Sequence, residues 1–182
     1  MNYILKIKLN DKDYLDFNSF HLFKSAYGRK IYNRLRIFTL VIPFICWLLG
    51  FTLHSFSEDY FTMLIVLIPL VLILFFTIKP ILNFITKMQF RTMIKNGKKP
   101  YSAEATMEFS DEKIIETTED NRTELKYSAV DSVYVVKGEM IYIYVNVNQA
   151  YLIPYASFEN KNQFIGFIEF ISEKTKPVIY SI

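Results

Sequence analysis

Few side chains in this sequence have the types and spacing for chemistry. His21 and His54 are the only histidines, and two long apolar runs lie close to His54. If those runs cross a membrane, the two imidazoles stand on opposite sides of it and cannot share a metal or build a proton relay. Cys46 is the single cysteine, so no intrachain disulfide can form, and inside an uncharged run its thiol behaves as a small hydrophobe. Asp11, Asp13 and Asp16 have the opening spacing of a calcium loop, but the glycine and distal glutamate that such a loop needs are missing, so helix capping explains them better. No glycine-rich phosphate loop, nucleophile elbow or paired-cysteine pattern occurs. The sequence therefore predicts a protein that is not an enzyme, with no catalytic, metal-binding or cofactor-binding residue and no cofactor.

What remains is charge and aromatic surface. Lys87, Arg91 and Lys95 repeat at i, i+4 and are followed by Lys98 and Lys99. Beside a bilayer such a row can hold anionic lipid headgroups, each nearby cation contributing about 1 kcal/mol. The plainer reading is that these residues set topology and solvate a helix. Tyr134, Tyr142 and Tyr144 are candidate partner contacts if they are exposed on a central hairpin, with ordinary packing as the alternative.

The elements that must position these residues follow from the apolar pattern. Of the 182 residues, 52% are hydrophobic and 17% aromatic, high for a soluble protein. Residues 37–53 form an uncharged run extendable to 57, and 60–78 form a second. Each is long enough to cross the roughly 30 Å hydrocarbon core of a bilayer as a helix. Helices apolar on every face would otherwise need a protein shell that the remaining residues do not supply. Lys24, Arg29, Lys30, Arg34 and Arg36 precede the first run; Lys79, Lys87, Arg91, Lys95, Lys98 and Lys99 follow the second; the connector has neither lysine nor arginine. The positive-inside rule then puts both termini in the cytoplasm and the loop "HSFSEDYF" outside. Trp47 falls within the first run, which leaves Tyr60 and Phe61 as the interfacial aromatic anchors. The start, "MNYILKIKLN", has no apolar h-region, so no cleaved secretory signal is expected.

Four regions result: 1–36, an N-terminal strand and amphipathic helix; 37–78, two transmembrane helices (37–57 and 60–78); 79–100, a basic juxtamembrane helix and linker stopped by Gly97 and Pro100; and 101–182, a cytoplasmic domain. Charge divides along the same lines, with 8 basic and 3 acidic residues in 1–36, 6 and 2 in 37–100, and 7 and 13 in 101–182. In the last region "YSAEATMEFS" alternates strictly, as in a half-buried antiparallel strand. "KIIETT", "TELKYS", "SVYVV", "MIYIYVNV" and "AYLIP" follow as further strands. From Asn160 the period changes: Phe164, Ile165, Phe167, Ile168 and Ile171 recur at helical spacing, with Asn160 and Gln163 as a cap pair. The expected fold is α+β: a transmembrane helical hairpin plus an antiparallel β-barrel or sandwich of pleckstrin-homology-like plan, covered by one C-terminal helix. The alternating "YILKIKLN" is expected to add to the same sheet, and the segment after it to be a helix capped by Asp11 or Asp13.

The run "DKDYLDFNSFHLFKS" before two apolar spans, followed by "FSDEKIIETTEDNRTELKYSAVDSVYVVKGEMIYIYVNVNQAYLIPYASFENKNQFIGFIEFI", resembles the YcxB-like family of bacterial membrane proteins. The most telling part is the hairpin "LKYSAVDSVYVVKGEMIYIYVNVNQAYLIPYASF". That resemblance implies a bacterial cytoplasmic (inner) membrane and a pleckstrin-homology-like domain, but brings no reaction, cofactor or catalytic residue. Besides the bilayer, the expected partner is a cytoplasmic protein; an acidic domain disfavours nucleic acid. The leading expectation is a membrane-anchored, non-enzymatic adaptor or regulatory protein. The alternative is an immunity protein that shields the membrane from a cognate toxin, drawn by analogy with other small two-span proteins. Self-association stays open, since Gly50 alone makes no small-xxx-small seam.

Overall fold

A computed structural model describes residues 2–53, 58–175 and 178–181. The tip loop at 54–57, including His54, lies outside the described residues, as do the side chains of Tyr60 and Phe61. The elements run β1 (Tyr3–Lys8), α1 (Asp11–Phe23), α2 (Ala26–Leu53), α3 (Glu58–Lys95), β2 (Glu104–Phe109), β3 (Lys113–Thr117), β4 (Arg122–Lys126), β5 (Ser132–Val136), β6 (Met140–Asn146), β7 (Gln149–Pro154), α4 (Lys161–Lys174) and β8 (Ile179–Ser181). They form two compact units. One joins residues 1–14 to 99–182, and the other holds 15–98.

The sheet unit contains two four-stranded sheets, ordered β1-β2-β3-β4 and β7-β6-β5-β8. The sheets are not closed into a barrel. β1 pairs antiparallel with β2 in the register Tyr3 to Phe109 through Lys8 to Glu104, so the N-terminal strand does join the sheet. Alternation then carries one row across four strands: Tyr3, Phe109, Ile114 and Leu125 are cross-strand neighbours and meet the same core. In the second sheet Val135, Ile141 and Ile153 make the corresponding row. The β5–β6 hairpin turns at Lys137 and Gly138, both at positive φ (53° and 67°), and the Glu139 N–H donates to the Val136 carbonyl at 3.0 Å. Two consecutive left-handed residues match the twist of a tight hairpin.

α4 lies on this core through Phe164, Phe167, Ile168, Phe170 and Ile171. Asn160 caps it as expected, its Oδ1 accepting from the Gln163 N–H at 2.9 Å, while Gln163 Oε1 accepts from the Glu159 N–H at 2.7 Å. Ile165 is exposed instead of buried, and Phe170 takes its place in the core. The short parallel strand β8 beside β5 was not foreseen. The strand expected from Tyr101 begins at Glu104, because the Tyr101 hydroxyl turns away to donate to Asp11 Oδ1 at 2.5 Å and its ring stacks on Tyr14.

The cap of α1 is also corrected. Asn10, not Asp11 or Asp13, is the N-cap: its Oδ1 accepts from the N–H groups of Lys12 and Asp13, and Asp13 Oδ2 accepts in return from the Asn10 N–H. In the helical unit α1 turns into α2 at Ser25, whose hydroxyl donates to the His21 carbonyl at 2.7 Å and accepts from the Gly28 N–H at 3.0 Å. A Cβ on Gly28 would stand 1.7 Å from that carbonyl oxygen, so only glycine admits the approach. α3 passes from its apolar stretch into the basic row without a break. Gly97 ends the helical turn at φ +70°, with Lys98 N–H donating to the Met93 carbonyl and Gly97 N–H to that of Ile94, a Schellman stop.

Both long helices leave many apolar residues exposed, although Phe90 near the end of α3 is buried. Segments Ala26–Gly50 and Thr62–Lys95 have mean hydropathy 1.4 and 2.6, and none of the most apolar stretch of either is buried within the protein. They are long and apolar enough to cross a membrane.

Candidate functional site

On α3, Lys87, Arg91 and Lys95 are all exposed at successive turns, and Lys98 follows the Schellman stop, also exposed. Four residues advance an α-helix by nearly one full turn, so the three helical cations stand above one another on one face. Lys99 falls in the sheet unit, where it borders an open groove of about 1030 Å³ with Lys6, Lys8, Glu104, Glu119 and Asp120. Lys8 pairs with Glu104 across β1 and β2 at 3.1 Å on an exposed edge. The predicted row is thus divided between the two units at its last member.

The three tyrosines are corrected. Tyr134, Tyr142 and Tyr144 are 5%, 1% and 4% exposed, so none offers open contact area. Tyr134 faces Tyr142 across the β5–β6 pair, and the rings of Tyr134 and Tyr144 meet edge to face at 5.6 Å. The signal was present in the sequence. "SVYVV" and "MIYIYVN" are continuous apolar runs, which mark strands covered on both faces, whereas exposure on one face requires alternation.

Among the described residues no cluster of histidine, cysteine or carboxylate side chains is placed to hold a metal ion. The perturbed titrating groups have structural partners. Lys174 bonds Asp111 at 3.1 Å and Lys113 bonds Glu124 at 2.6 Å, and each ammonium holds its carboxyl below the usual range. Burial pushes Tyr101 up to about 12, helped by its hydrogen bond to Asp11. Burial likewise raises Tyr127 to about 12, and its hydroxyl donates to the Ser110 carbonyl at 2.7 Å. His21 is lowered by burial. These groups tie turns and helix ends to their neighbours.

A constellation that the sequence reading did not single out lies at the junction of α1, α2 and α3. The guanidinium of Arg36 stacks over the Phe75 ring at 4.0 Å and stands 5.6 Å from the Tyr32 ring centre. Tyr32 meets Phe23 edge to face at 5.0 Å, and Lys79 Nζ lies 5.3 Å from the Phe23 ring centre. Tyr32 and Phe23 thereby link the two cations, and Phe75 is a third ring against Arg36. The available signal was positional: Arg36 is the last charge before the first uncharged run, and Lys79 is the first after the second.

Sequence and geometry together define the class: an α+β protein with two helices fit to cross a membrane and a separate unit of antiparallel sheets with a C-terminal helix. Residues 109–171, from the end of β2 into α4, match the family model described as YcxB-like protein. The YcxB-like resemblance seen in the sequence is therefore shown, over about a third of the chain. No curated protein and no solved structure matches significantly.

Proposed function

We propose that this is a membrane-anchored, non-enzymatic adaptor whose sheet unit, pleckstrin-homology-like in plan, binds a protein partner on the cytoplasmic side of a bacterial cytoplasmic membrane. The observation that carries this reading is the pairing of β1 with β2. The chain enters the apolar helices after β1 and leaves them before β2, yet the two strands form one ladder. Both flanks of the hairpin would then lie on one side of any membrane it crosses, and the basic residues on those flanks support the cytoplasm as that side.

Two sheets and a C-terminal helix support the pleckstrin-homology-like plan. The excess of acidic residues in 101–182 supports a partner with a basic contact surface, because complementary charge accelerates encounter and rejects acidic competitors.

The test uses the full chain in detergent as bait for cytoplasmic proteins, beside a variant in which Glu112, Glu119 and Asp120 become the corresponding amides. A specific partner lost by the variant and weakened by salt is expected. Equal capture by both proteins would remove the acidic surface from the interaction.

A further inference from the structure

We propose that Arg36 and Lys79 form a phosphate site at the mouth of the helical hairpin, and that the phosphate it holds belongs to an anionic phospholipid. The inference rests on the membrane reading above and adds a ligand to it. Arg36 stands immediately before the uncharged stretch of α2 and Lys79 immediately after that of α3, so both mark the same end of the hairpin. Arg36 contacts Phe75, and Lys79 lies four residues beyond Phe75 on α3. The Arg36 seat on Phe75 and the backbone of Lys79 are thus about 6 Å apart along α3, one turn, on the scale of a single headgroup.

Three features point to an anion. First, the aromatic rings hold both cations in place, with guanidinium over Phe75 and ammonium beside Phe23. Ring contacts of this kind contribute about 0.5–2 kcal/mol and reduce the side-chain freedom that binding would otherwise remove. Second, the charge is unneutralised: among the described residues neither cation forms an ion pair, and Arg36 Nε is buried without a hydrogen-bond partner. Third, acidic side chains are remote in the chain. Between Asp16 and Glu104 only Glu58 and Asp59 occur, at the opposite end of α3. At the junction of hydrocarbon and water the bilayer itself supplies phosphate, and a planar guanidinium matches phosphate oxygens through paired donors. The exposed row of Lys87, Arg91 and Lys95 lacks such aromatic seats and would attract anions only diffusely.

The experiment follows thermal unfolding of the full-length protein in neutral detergent as phosphatidylglycerol, phosphatidylcholine or inorganic phosphate is added. Wild type and a Lys87→Gln, Arg91→Gln, Lys95→Gln variant are expected to be stabilised by phosphatidylglycerol at similar concentrations. Arg36→Gln with Lys79→Gln should require about tenfold more, the equivalent of about 1.4 kcal/mol. Arg36→Lys retains charge but loses the planar fork, and it should also weaken the response; it serves if the glutamine pair does not fold. Equal stabilisation by phosphatidylcholine, or a loss in the Lys87/Arg91/Lys95 variant in place of the Arg36/Lys79 one, overturns the site. A full response to inorganic phosphate overturns its assignment to lipid. Quenching of Trp47, the only tryptophan, by brominated lipid in vesicles reports insertion separately. Quenching without lipid selectivity removes the site alone, whereas no quenching removes the membrane reading as well.

Discussion

The two units contain the same kinds of residue and place them in opposite ways. In the sheet unit Phe167 and Ile114 are 0% exposed, whereas in the helical unit Phe76 and Ile65 are 72% and 73% exposed. Phe167 is surrounded by rings, meeting Phe109 at 4.8 Å and Tyr3 and Phe158 at 5.3 Å. Phe76 faces outward from the apolar stretch of α3. One unit folds by removing apolar surface from water, and the other keeps apolar surface outward on helices long and apolar enough to cross a membrane. The apolar content of the whole chain, read as a single number, conceals this division.

Truncation in the sheet unit tests the comparison most strongly. Phe167→Ala should cost about 3–5 kcal/mol and unfold the sheet unit. The far-ultraviolet helical signal of the hairpin in detergent should persist; loss of both signals together would show that the units do not fold separately. Substitution on α3 probes the other half. Val66→Arg, on an exposed apolar face, should oppose membrane insertion by about 2.5–3.5 kcal/mol, measured as the inserted fraction. Val66→Ala should stay within about 0.5 kcal/mol, because no packed core is emptied. A mild Val66→Arg would mean that this face meets water.

Acid should produce a smaller separation. The lowered carboxyls of Asp111 and Glu124 stabilise the folded state fully above their ordinary values of 3.8 and 4.5, and that stability is lost as pH falls below them. His21 is also lowered, from 6.5, so its share in the helical unit is complete above 6.5 and is lost as pH falls below it. Stability followed at Trp47 should therefore begin to fall at a higher pH than stability followed by the tyrosines of the sheet unit. His21→Gln should abolish that lead, and identical pH profiles in the unchanged protein would exclude it.

Much of the fold was legible because its causes are local. Uncharged runs marked the helices, alternation marked β2, and Asn160 with Gln163 marked the start of α4. Gly97 marked a helix end because only glycine reaches its positive φ without strain. Asp11 and Asp13 misled as caps because Asn10, one residue earlier, offers the same side-chain acceptor. The tyrosines of β5 and β6 misled because exposure on a strand depends on what covers its second face. The Arg36 and Lys79 constellation escaped because cations flanking an apolar run read as topology signals until their distance to aromatic rings is known.

By itself the sequence determined most of the helix and strand segments, though not β8, along with which helices are apolar enough to cross a membrane and where several elements end. Those outcomes follow from hydropathy, period and backbone preference within a few residues. Only the tertiary structure decided that β1 pairs with β2 in a particular register, that three tyrosines are buried, and that two distant cations share one aromatic cluster. Each of these joins residues far apart in the chain, and such pairs form when burial and hydrogen bonding together outweigh the entropy of closing the chain between them.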